Sequence, residues 1–348
     1  MGKAHSNAYR QAEHFFDHPF GLDLRVLCGR NEAGLEAMAG RWGWRETVTD
    51  WRAAIDSAGV DIVDVAVPNY LHAEVAIAAA EAGKIVFCEK PLAVSTAEAD
   101  RMAAAARHRP TMVWYNYRRA PGVELARRLV DEGRIGRPFH YRGWYLQEWG
   151  NDPTRPPGWK TSKAEAGSGV LGDLLSHAVD LAQHLNGAIT EVSALQHTFA
   201  AGRDVDDATL ALARFANGSL GSLEATRYGT GFRNRNAFEL HGDKGAARFS
   251  LEDMNRLEYF DGTTQPREFG GFANLLASNP FWKPGHVSGY EHTFIAALAE
   301  FLAALAAGEP FHPDFADAAD VQRVLEAIER AALSRTWTPV VRTPNREP

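Results

Sequence analysis

The first third of the chain alternates short apolar runs with longer helical patterns. Residues 60–67 form a mostly apolar run that Pro68 ends, and Ile85–Cys88 is a second one. Alanine-rich segments with helical spacing, 72–82 and 95–107, follow them. Strands that alternate with helices of this length are typical of βαβ units, whose strands are parallel. The pattern predicts a Rossmann-type doubly wound α/β domain that binds its ligand beyond the carboxyl ends of the strands.

Further segments complete this predicted domain. We expect strands at 24–28 and 111–115 and helices at Glu32–Trp42 and 51–58. The chain opens directly with a helical pattern, whereas a nucleotide-binding domain should open with a strand and a glycine-rich turn. We expect Gly2 to be the last glycine of that turn, with the first strand upstream of Met1. A native start without that strand is the alternative.

After Pro121 the pattern changes to longer alternating runs separated by turn sequences. Asn217-Gly218 and the segment 242–245 are typical of tight turns between antiparallel strands. The predicted strands are 139–149, 191–199, 209–215, 220–228, 237–241, 246–250 and 257–260, and the predicted closing helices are 291–307 and 317–333. The sequence thus predicts a dinucleotide-binding domain at 1–120, an α+β domain with a large open, mainly antiparallel sheet at 121–335, and a tail at 336–348.

Composition narrows the class of protein. Hydrophobic residues make up 45% of the 348 residues and the net charge is −7, which argues against a nucleic-acid partner. No uninterrupted run of 18 apolar residues occurs, so we expect no membrane partner. The two cysteines, Cys28 and Cys88, cannot build a disulfide framework and suit a cytoplasmic protein. A small-molecule partner is the expectation.

Polar residues at two places are candidates for chemistry. Lys90 comes directly after the apolar run Ile85–Cys88. Far downstream, Asp173 and His177 are four residues apart in a predicted helix, so their side chains should share one face. A solvated helix face with a satisfied histidine is the alternative. Asp180 and His184 continue that stripe, but we expect no metal, because a third convergent ligand is not evident.

Several separated motifs carry a resemblance. They are MGKAH at 1–5, PNYLH at 68–72, AGK at 82–84 leading to EKP at 89–91, NYRRAP at 116–121 and GSGVLGDLLSH at 167–177. In this order and spacing the chain resembles the Gfo/Idh/MocA family of NAD(P)-dependent sugar and polyol oxidoreductases. The stretches 2–10, 50–52, 282–294 and 313–322 look most like its levoglucosan dehydrogenase branch.

The resemblance implies an enzyme that oxidises a ring hydroxyl of a sugar, anhydrosugar, glycoside or cyclic polyol to a keto sugar. Oxidation at C3 of a levoglucosan-like ring is the sharpest version. Such a reaction removes a hydroxyl proton and passes a hydride to the nicotinamide. The implied catalytic residues are Lys90, Asp173 and His177. His177 would accept the proton, Lys90 would stabilise the alkoxide, and Asp173 would orient the substrate or the imidazole.

The expected cofactor is NAD, and NADP stays open because Gly29 occupies the place of the usual acidic ribose ligand, with Arg30 beside it. The residues expected to bind the cofactor are Gly2, His5, Gly29, Arg30, Pro68, Asn69, His72, Glu89, Lys90 and Asn116. The residues expected to bind the substrate are Arg118, Gln147, Trp149, Trp159, Lys160 and His286. For each tryptophan a place in the core or at an interface is the alternative.

Two other functions and an assembly remain open at this stage. The first is a redox-neutral glycoside hydrolase, which oxidises, eliminates, hydrates and re-reduces with the same bound NAD. The second is an inactive sugar-binding protein. An open sheet with one uncovered apolar face also predicts a homo-oligomer, a dimer or a tetramer, formed through that sheet.

Overall fold

The structure, a computed structural model, describes residues 1–152, 154, 156, 158–264 and 270–341. The chain divides into two compact units. The first comprises Met1–Asn116 and Gly289–Ala319, and the second comprises Tyr117–Ser288 and Asp320–Pro348. The chain therefore returns to the first unit late in the sequence. The predicted division into consecutive domains did not include this return.

Strands alternate with helices in the first part of the chain, whereas most strands of the second part follow one another without an intervening α-helix. The helices are α1 (Gly2–Phe15), α2 (Glu32–Trp42), α3 (Trp51–Asp56), α4 (His72–Glu81), α5 (Thr96–Ala105), α6 (Pro121–Asp131), α7 (Lys163–Ala166), α8 (Ser176–Asn186), α9 (Tyr290–Ala307) and α10 (Phe315–Ser334). The strands are β1 (Val26–Cys28), β2 (Glu46–Val48), β3 (Ile62–Val65), β4 (Ile85–Cys88), β5 (Thr111–Val113), β6 (Pro138–Leu146), β7 (Ile189–His197), β8 (Ala208–Phe215), β9 (Leu220–Thr226), β10 (Arg235–Gly242), β11 (Gly245–Ser250), β12 (Arg256–Asp261), β13 (Ala273–Leu276) and β14 (Thr338–Pro339).

Parallel strands form the framework of the first unit. β1 pairs with β2, and β3, β4 and β5 form a second group in that order. Because a helix lies between consecutive strands of each group, their carboxyl ends point the same way. The predicted Rossmann-type α/β domain is confirmed. Strand β2 was not predicted, because Val48 is the one apolar residue among its three.

Helix α9 belongs to the core of the first unit. By length and composition Tyr290–Ala307 is apolar enough to cross a membrane, with a mean hydropathy of 1.2. However, 50% of this segment is buried inside the protein, and it packs against α1 through residues such as Phe294. A core helix passes the same test of length and hydropathy, so this helix is part of the fold.

A large mixed sheet forms the second unit. Among the described residues it has nine strands in the order β13-β12-β11-β10-β6-β9-β8-β7-β14. The pairings are antiparallel except that β6 and β9 run parallel. The predicted large, mainly antiparallel sheet is confirmed. Part of the expected tail is corrected, because β14 joins the sheet edge beside β7; residues 342–348 lie outside the described residues.

Alternation along the strands separates the two faces of this sheet. Tyr141, Gly143 and Tyr145 of β6 are buried and face the side on which α8 packs. Leu210 and Leu212 of β8 point to the opposite face and are exposed. The covered face therefore carries the core and the candidate catalytic residues of this unit, whereas the other face is open and carries exposed leucines beside ion pairs such as Arg142–Glu239.

Candidate active site

The first unit gathers predicted cofactor residues at the ends of its parallel strands. Gly29 directly follows β1, Glu89 and Lys90 directly follow β4, and Asn116 comes shortly after β5. Asn69 begins a short 3₁₀ turn after β3 and is buried. This edge, beyond the carboxyl ends, is where doubly wound sheets bind their ligands.

Glycines at this edge sit where a side chain would be crowded. A Cβ on Gly2, at the start of α1, would come within 3.2 Å of Met38 Cε, and one on Gly29 would come within 3.1 Å of Leu35 Cδ2. Helix α1 has no side-chain N-cap, and the Ala4 N–H of its first turn donates to the carbonyl oxygen of Met1 at 2.7 Å. The N-terminus of a helix at this edge of the sheet fits a phosphate of a dinucleotide. Arg30 is exposed beside Gly29.

His5 forms a buried ion cluster with two carboxylates. Its ring is 1% exposed and stacks on Trp114 at a centroid distance of 4.3 Å. Nδ1 lies 2.7 Å from Asp64 Oδ2, and Nε2 lies 2.9 Å from Glu89 Oε1. Asp64 also accepts hydrogen bonds from the Tyr9 hydroxyl at 2.8 Å and from Trp114 Nε1 at 2.9 Å. The cluster joins α1 to the ends of β3 and β4.

The charges in this cluster support one another. Burial alone would lower the pKa of His5, but the adjacent Asp64 and Glu89 raise it to about 9. Burial likewise opposes ionisation of the two carboxyls, yet His5 holds the pKa of each below its ordinary value. The expected contact between His5 and a pyrophosphate is therefore corrected for its side chain, because the ring is committed to Asp64 and Glu89.

This cluster predicts a loss of stability at alkaline pH. The pKa of His5 is raised from 6.5 to about 9, so its contribution is complete below 6.5 and is lost as the pH rises through about 9. His5→Leu should lower the free energy of unfolding at pH 7 by about 3–5 kcal/mol, because it leaves buried carboxylates unpaired. Urea unfolding of both proteins between pH 7 and 10 measures these effects.

The exposed His14 of the same helix provides the control. His14→Leu should keep the alkaline slope of the parent protein, whereas His5→Leu should flatten it. Identical slopes for the parent and His5→Leu would show that His5 is not protonated in the folded protein.

Other predicted cofactor residues support the backbone of this edge. His72 is fully buried, with Nδ1 3.0 Å from the carbonyl oxygen of Pro91 and Nε2 3.0 Å from that of Val67. Its ring therefore links the loops after β3 and β4, and its expected contact with the cofactor is corrected to this supporting position.

Asn116 and Cys88 also lie at the ends of strands in this unit. Asn116 Nδ2 donates to Thr293 Oγ1 at 2.8 Å. Burial raises the pKa of the Cys88 thiol, as expected for a structural cysteine.

In the second unit a tight glycine turn leads into the candidate catalytic residues. A Cβ on Gly169 would lie 1.8 Å from the carbonyl oxygen of Asp206, so only glycine fits. The Asp206 carboxylate accepts hydrogen bonds from the backbone N–H of Gly169 at 2.6 Å and of Leu171 at 2.8 Å. This partly buried carboxylate fixes the start of the segment that carries Asp173.

The segment itself differs from the predicted regular helix. Leu171–Leu175 is a π-helical turn, and α8 begins only at Ser176. Asp173 therefore lies in the π turn and His177 in the first turn of α8, so the expected regular α-helical spacing is corrected. Wider turns of this kind occur frequently at functional sites.

Asp173 is held by two cations. Lys160 Nζ lies 2.8 Å from Oδ1, and Arg227 Nη2 lies 3.3 Å from Oδ2. The Arg227 guanidinium also lies over the ring of Trp149, 4.6 Å from its centroid. The structure thus brings together the predicted residues Asp173, Lys160 and Trp149.

His177 lies against two tyrosines. Its ring is 4.5 Å from that of Tyr117 and 5.9 Å from that of Tyr145, and it is mostly buried. The two tyrosine hydroxyls are 3.0 Å apart. A largely desolvated imidazole with aromatic walls is a suitable environment for a proton acceptor.

A chain of hydrogen bonds connects these tyrosines to predicted sugar-binding residues. The Tyr145 hydroxyl and Gln147 Nε2 each donate to Asn234 Oδ1 at 2.7 Å. Trp149 Nε1 donates to Gln147 Oε1 at 2.6 Å. Amide and hydroxyl groups fixed in this way can recognise the hydroxyls of a sugar ring, and the indole can cover its apolar face.

Other predicted residues are placed differently. Arg118 is buried, and its guanidinium donates to both oxygens of Asp180, with the shortest contact at 2.6 Å. Asp180 therefore belongs to a buried ion pair and not to a continuous polar stripe. Trp159 is exposed. His286 lies in an exposed loop, with Nδ1 3.0 Å from the carbonyl oxygen of Lys283.

Sequence reasoning missed Tyr117, Tyr145, Asn234 and Arg227. Tyr117 stands within the NYRRAP motif, and Tyr145 precedes Gln147 by two residues in the same strand, so both carried a signal. Asn234 and Arg227 carried none, because their places depend on how distant strands pair.

Comparison with known proteins identifies the chain. Residues 1–117 match the model of an oxidoreductase family with an NAD-binding Rossmann fold, GFO_IDH_MocA, and residues 123–248 match the GFO/IDH/MocA C-terminal domain. Levoglucosan dehydrogenase of Pseudarthrobacter phenanthrenivorans is 38% identical over 98% of this chain and 95% of its own length. The chain belongs to the Gfo/Idh/MocA family. It is an oxidoreductase, and its first unit is the NAD-binding domain.

Solved structures of this family agree over nearly the whole chain. An oxidoreductase domain protein from Kribbella flavida is 45% identical, with a TM-score of 0.95 over 98% of this chain and 96% of that one. Levoglucosan dehydrogenase in complex with NADH and levoglucosan is 38% identical, with a TM-score of 0.95 over 98% of this chain and 97% of that one. The predicted resemblance to the levoglucosan dehydrogenase branch is confirmed.

Proposed function

We propose that this protein is an NAD-dependent dehydrogenase that oxidises a ring hydroxyl of a neutral sugar, with an anhydrosugar such as levoglucosan as the preferred substrate and C3 as the oxidised carbon. The observation that carries the proposal is the cluster around His177 and Asp173. It combines a buried imidazole, a carboxylate and a fixed chain of hydroxyl, amide and indole groups. NAD, when bound, supplies the acceptor for the hydride.

Three residues of this chain, His177, Lys90 and Asp173, have separate roles in the rest of the reaction. His177 accepts the proton of the reacting hydroxyl, and the tyrosine rings around it limit its access to water. Lys90 follows Glu89 at the end of β4 and stabilises the negative charge that develops on the oxygen. Asp173 keeps capacity to accept a substrate hydroxyl, because each carboxylate oxygen can accept more than one hydrogen bond.

Initial rates with NAD and a panel of neutral sugars, followed at 340 nm, test the function. We expect steady formation of NADH, with levoglucosan among the best substrates. Linear or branched polyols should be slower, because they cannot present a rigid ring to the chain that runs from Tyr145 to Trp149. No NADH with any ring sugar would contradict the proposal. Release of an aglycone from a glycoside without net NADH would identify the redox-neutral hydrolase instead.

We also propose that a second copy of the chain covers the open face of the sheet. Leu195, Leu210, Leu212 and Leu220 are large apolar side chains exposed there. Leu195 of β7 lies opposite Leu210 of β8, and Leu212 of β8 lies opposite Ser222 of β9. The leucines therefore lie on the neighbouring strands β7, β8 and β9. Apolar patches of this kind are typical of interaction surfaces. A cytoplasmic location stays a prediction.

Leu212→Glu should convert the oligomer to a monomer, because a symmetric interface would meet the new charge twice. Sedimentation velocity measures the change. Leu333→Glu is the matched control, since Leu333 is an exposed leucine on α10. A parent protein that already sediments as a monomer, or a Leu212→Glu variant that remains an oligomer, would contradict this interface.

A further inference from the structure

Arg227 carries a buried charge that the proposed reaction does not itself require. It follows β9 directly, and its side chain is 0% exposed. A guanidinium remains protonated in proteins, and burying it is costly unless partners compensate. A fully buried arginine therefore needs a reason in its surroundings.

Its surroundings are the residues of the proposed sugar site. Nη2 lies 3.3 Å from Asp173 Oδ2, and Nη1 donates to the carbonyl oxygen of Lys160 at 3.2 Å. The guanidinium plane covers Trp149 at 4.6 Å. Trp149 and Lys160 lie near the two ends of one connecting segment, so a single side chain holds both ends and the carboxylate.

The backbone of Arg227 is anchored on both sides. Its N–H donates to the carbonyl oxygen of Asp207 at 3.0 Å, and its own carbonyl oxygen accepts from Gly150 N–H at 2.9 Å. A Cβ on Gly150 would lie 2.7 Å from that carbonyl oxygen, so glycine permits the close approach. The parallel pairing of β6 with β9 brings these strand ends together. The guanidinium thus starts from a rigid base.

We propose that Arg227 is the positioning residue of the sugar-binding half of the site, where it fixes Asp173, Lys160 and Trp149 relative to one another. The inference rests on the proposed function, because those three residues are its proposed sugar contacts. Only a planar, forked cation can hold a carboxylate, donate to a carbonyl and cover an indole at once. A lysine at this position keeps the charge but loses the simultaneous contacts.

Kinetics of Arg227→Lys test the positioning role. We expect KM for levoglucosan to rise at least about tenfold, with a smaller change in kcat, because the contacts fix the substrate more than they touch the reacting atoms. The affinity for NAD, measured by calorimetry, should stay within about twofold. Arg256→Lys is the control, an exposed arginine in the same unit. Arg227→Met tests whether the charge itself is needed.

Limited proteolysis gives a readout that needs no turnover. Trypsin should cleave the Lys160–Thr161 bond of Arg227→Lys at least about fivefold faster than that of the parent or of Arg256→Lys, since rates of local cleavage follow the population of open states. A parent protein that oxidised no sugar would contradict the proposed function, whereas the cleavage rates would still decide whether Arg227 holds the segment. An unchanged KM in Arg227→Lys, or equal losses of sugar and NAD affinity, would overturn the positioning role.

Discussion

His177→Ala is expected to lower turnover of the sugar about a hundredfold or more, because it removes the group that accepts the hydroxyl proton. The imidazole packs against the rings of Tyr117 and Tyr145. NAD affinity should be unchanged, since His177 belongs to the second unit and NAD binds to the first. Steady-state rates and calorimetric titration with NAD measure both effects.

The pH profile sharpens this expectation. If the imidazole of His177 is the base, kcat/KM of the parent protein should fall below the pKa of that group. This fall should be absent in His177→Ala. The residual rate of the variant should rise with hydroxide concentration. His14→Ala provides the control for a histidine removed elsewhere. Turnover of His177→Ala within a few fold of the parent would exclude His177 as the base.

Lys90→Ala should be the second large loss, again about a hundredfold or more in turnover. An ammonium aimed at a developing alkoxide is worth several kcal/mol in a site shielded from water. The position of Lys90 is fixed by the strand β4 before it and by Glu89, whose Oε2 accepts from the backbone N–H of Lys90 at 3.2 Å. Initial rates at saturating NAD and sugar measure the effect.

Two comparisons separate a catalytic role of Lys90 from a structural one. Lys90→Arg keeps the charge but changes its shape and reach, so it should recover only part of the lost rate. Lys244→Ala, at an exposed turn of the second unit, should behave like the parent protein. Full activity in Lys90→Ala, or a loss explained by weaker NAD binding, would contradict the role in stabilising the alkoxide.

Local patterns were sufficient to predict most elements of the fold. The apolar run before Lys90 and the alanine-rich helices around it repeat over short distances, so β4, α4 and α5 lie close to their predicted positions. The alternation along β8 likewise predicted a strand with one buried face. Such patterns can be recognised because a helix or strand that buries one face repeats its apolar positions every two to four residues.

Features that depend on distant parts of the chain were not predictable. The π turn at Leu171–Leu175 follows a glycine that must fit against Asp206, which lies far away in the sequence. The parallel pairing of β6 with β9, which places Arg227 at the site, joins strands that are not consecutive. Register between such strands leaves no trace in either strand alone.

The candidate site shows the same division. Lys90, Asp173 and His177 stood out because their residue types and motifs indicate proton and hydride chemistry. The ion cluster of His5 did not, because it requires α1, β3 and β4 to converge before Asp64 and Glu89 can meet the ring. Its place just after Gly2 in the motif MGKAH suggested a cofactor contact for His5, whereas the folded chain buries its ring against Asp64 and Glu89.

The most direct test of the proposed function is the fate of the hydrogen at C3 of the sugar. The protein is incubated with NAD and levoglucosan deuterated at C3, and the reduced nucleotide is analysed by mass spectrometry. We expect one deuterium in each nucleotide reduced, with a slower initial rate than for unlabelled sugar when the chemical step limits turnover. Reduced nucleotide without deuterium, or no reduction at all, would contradict it.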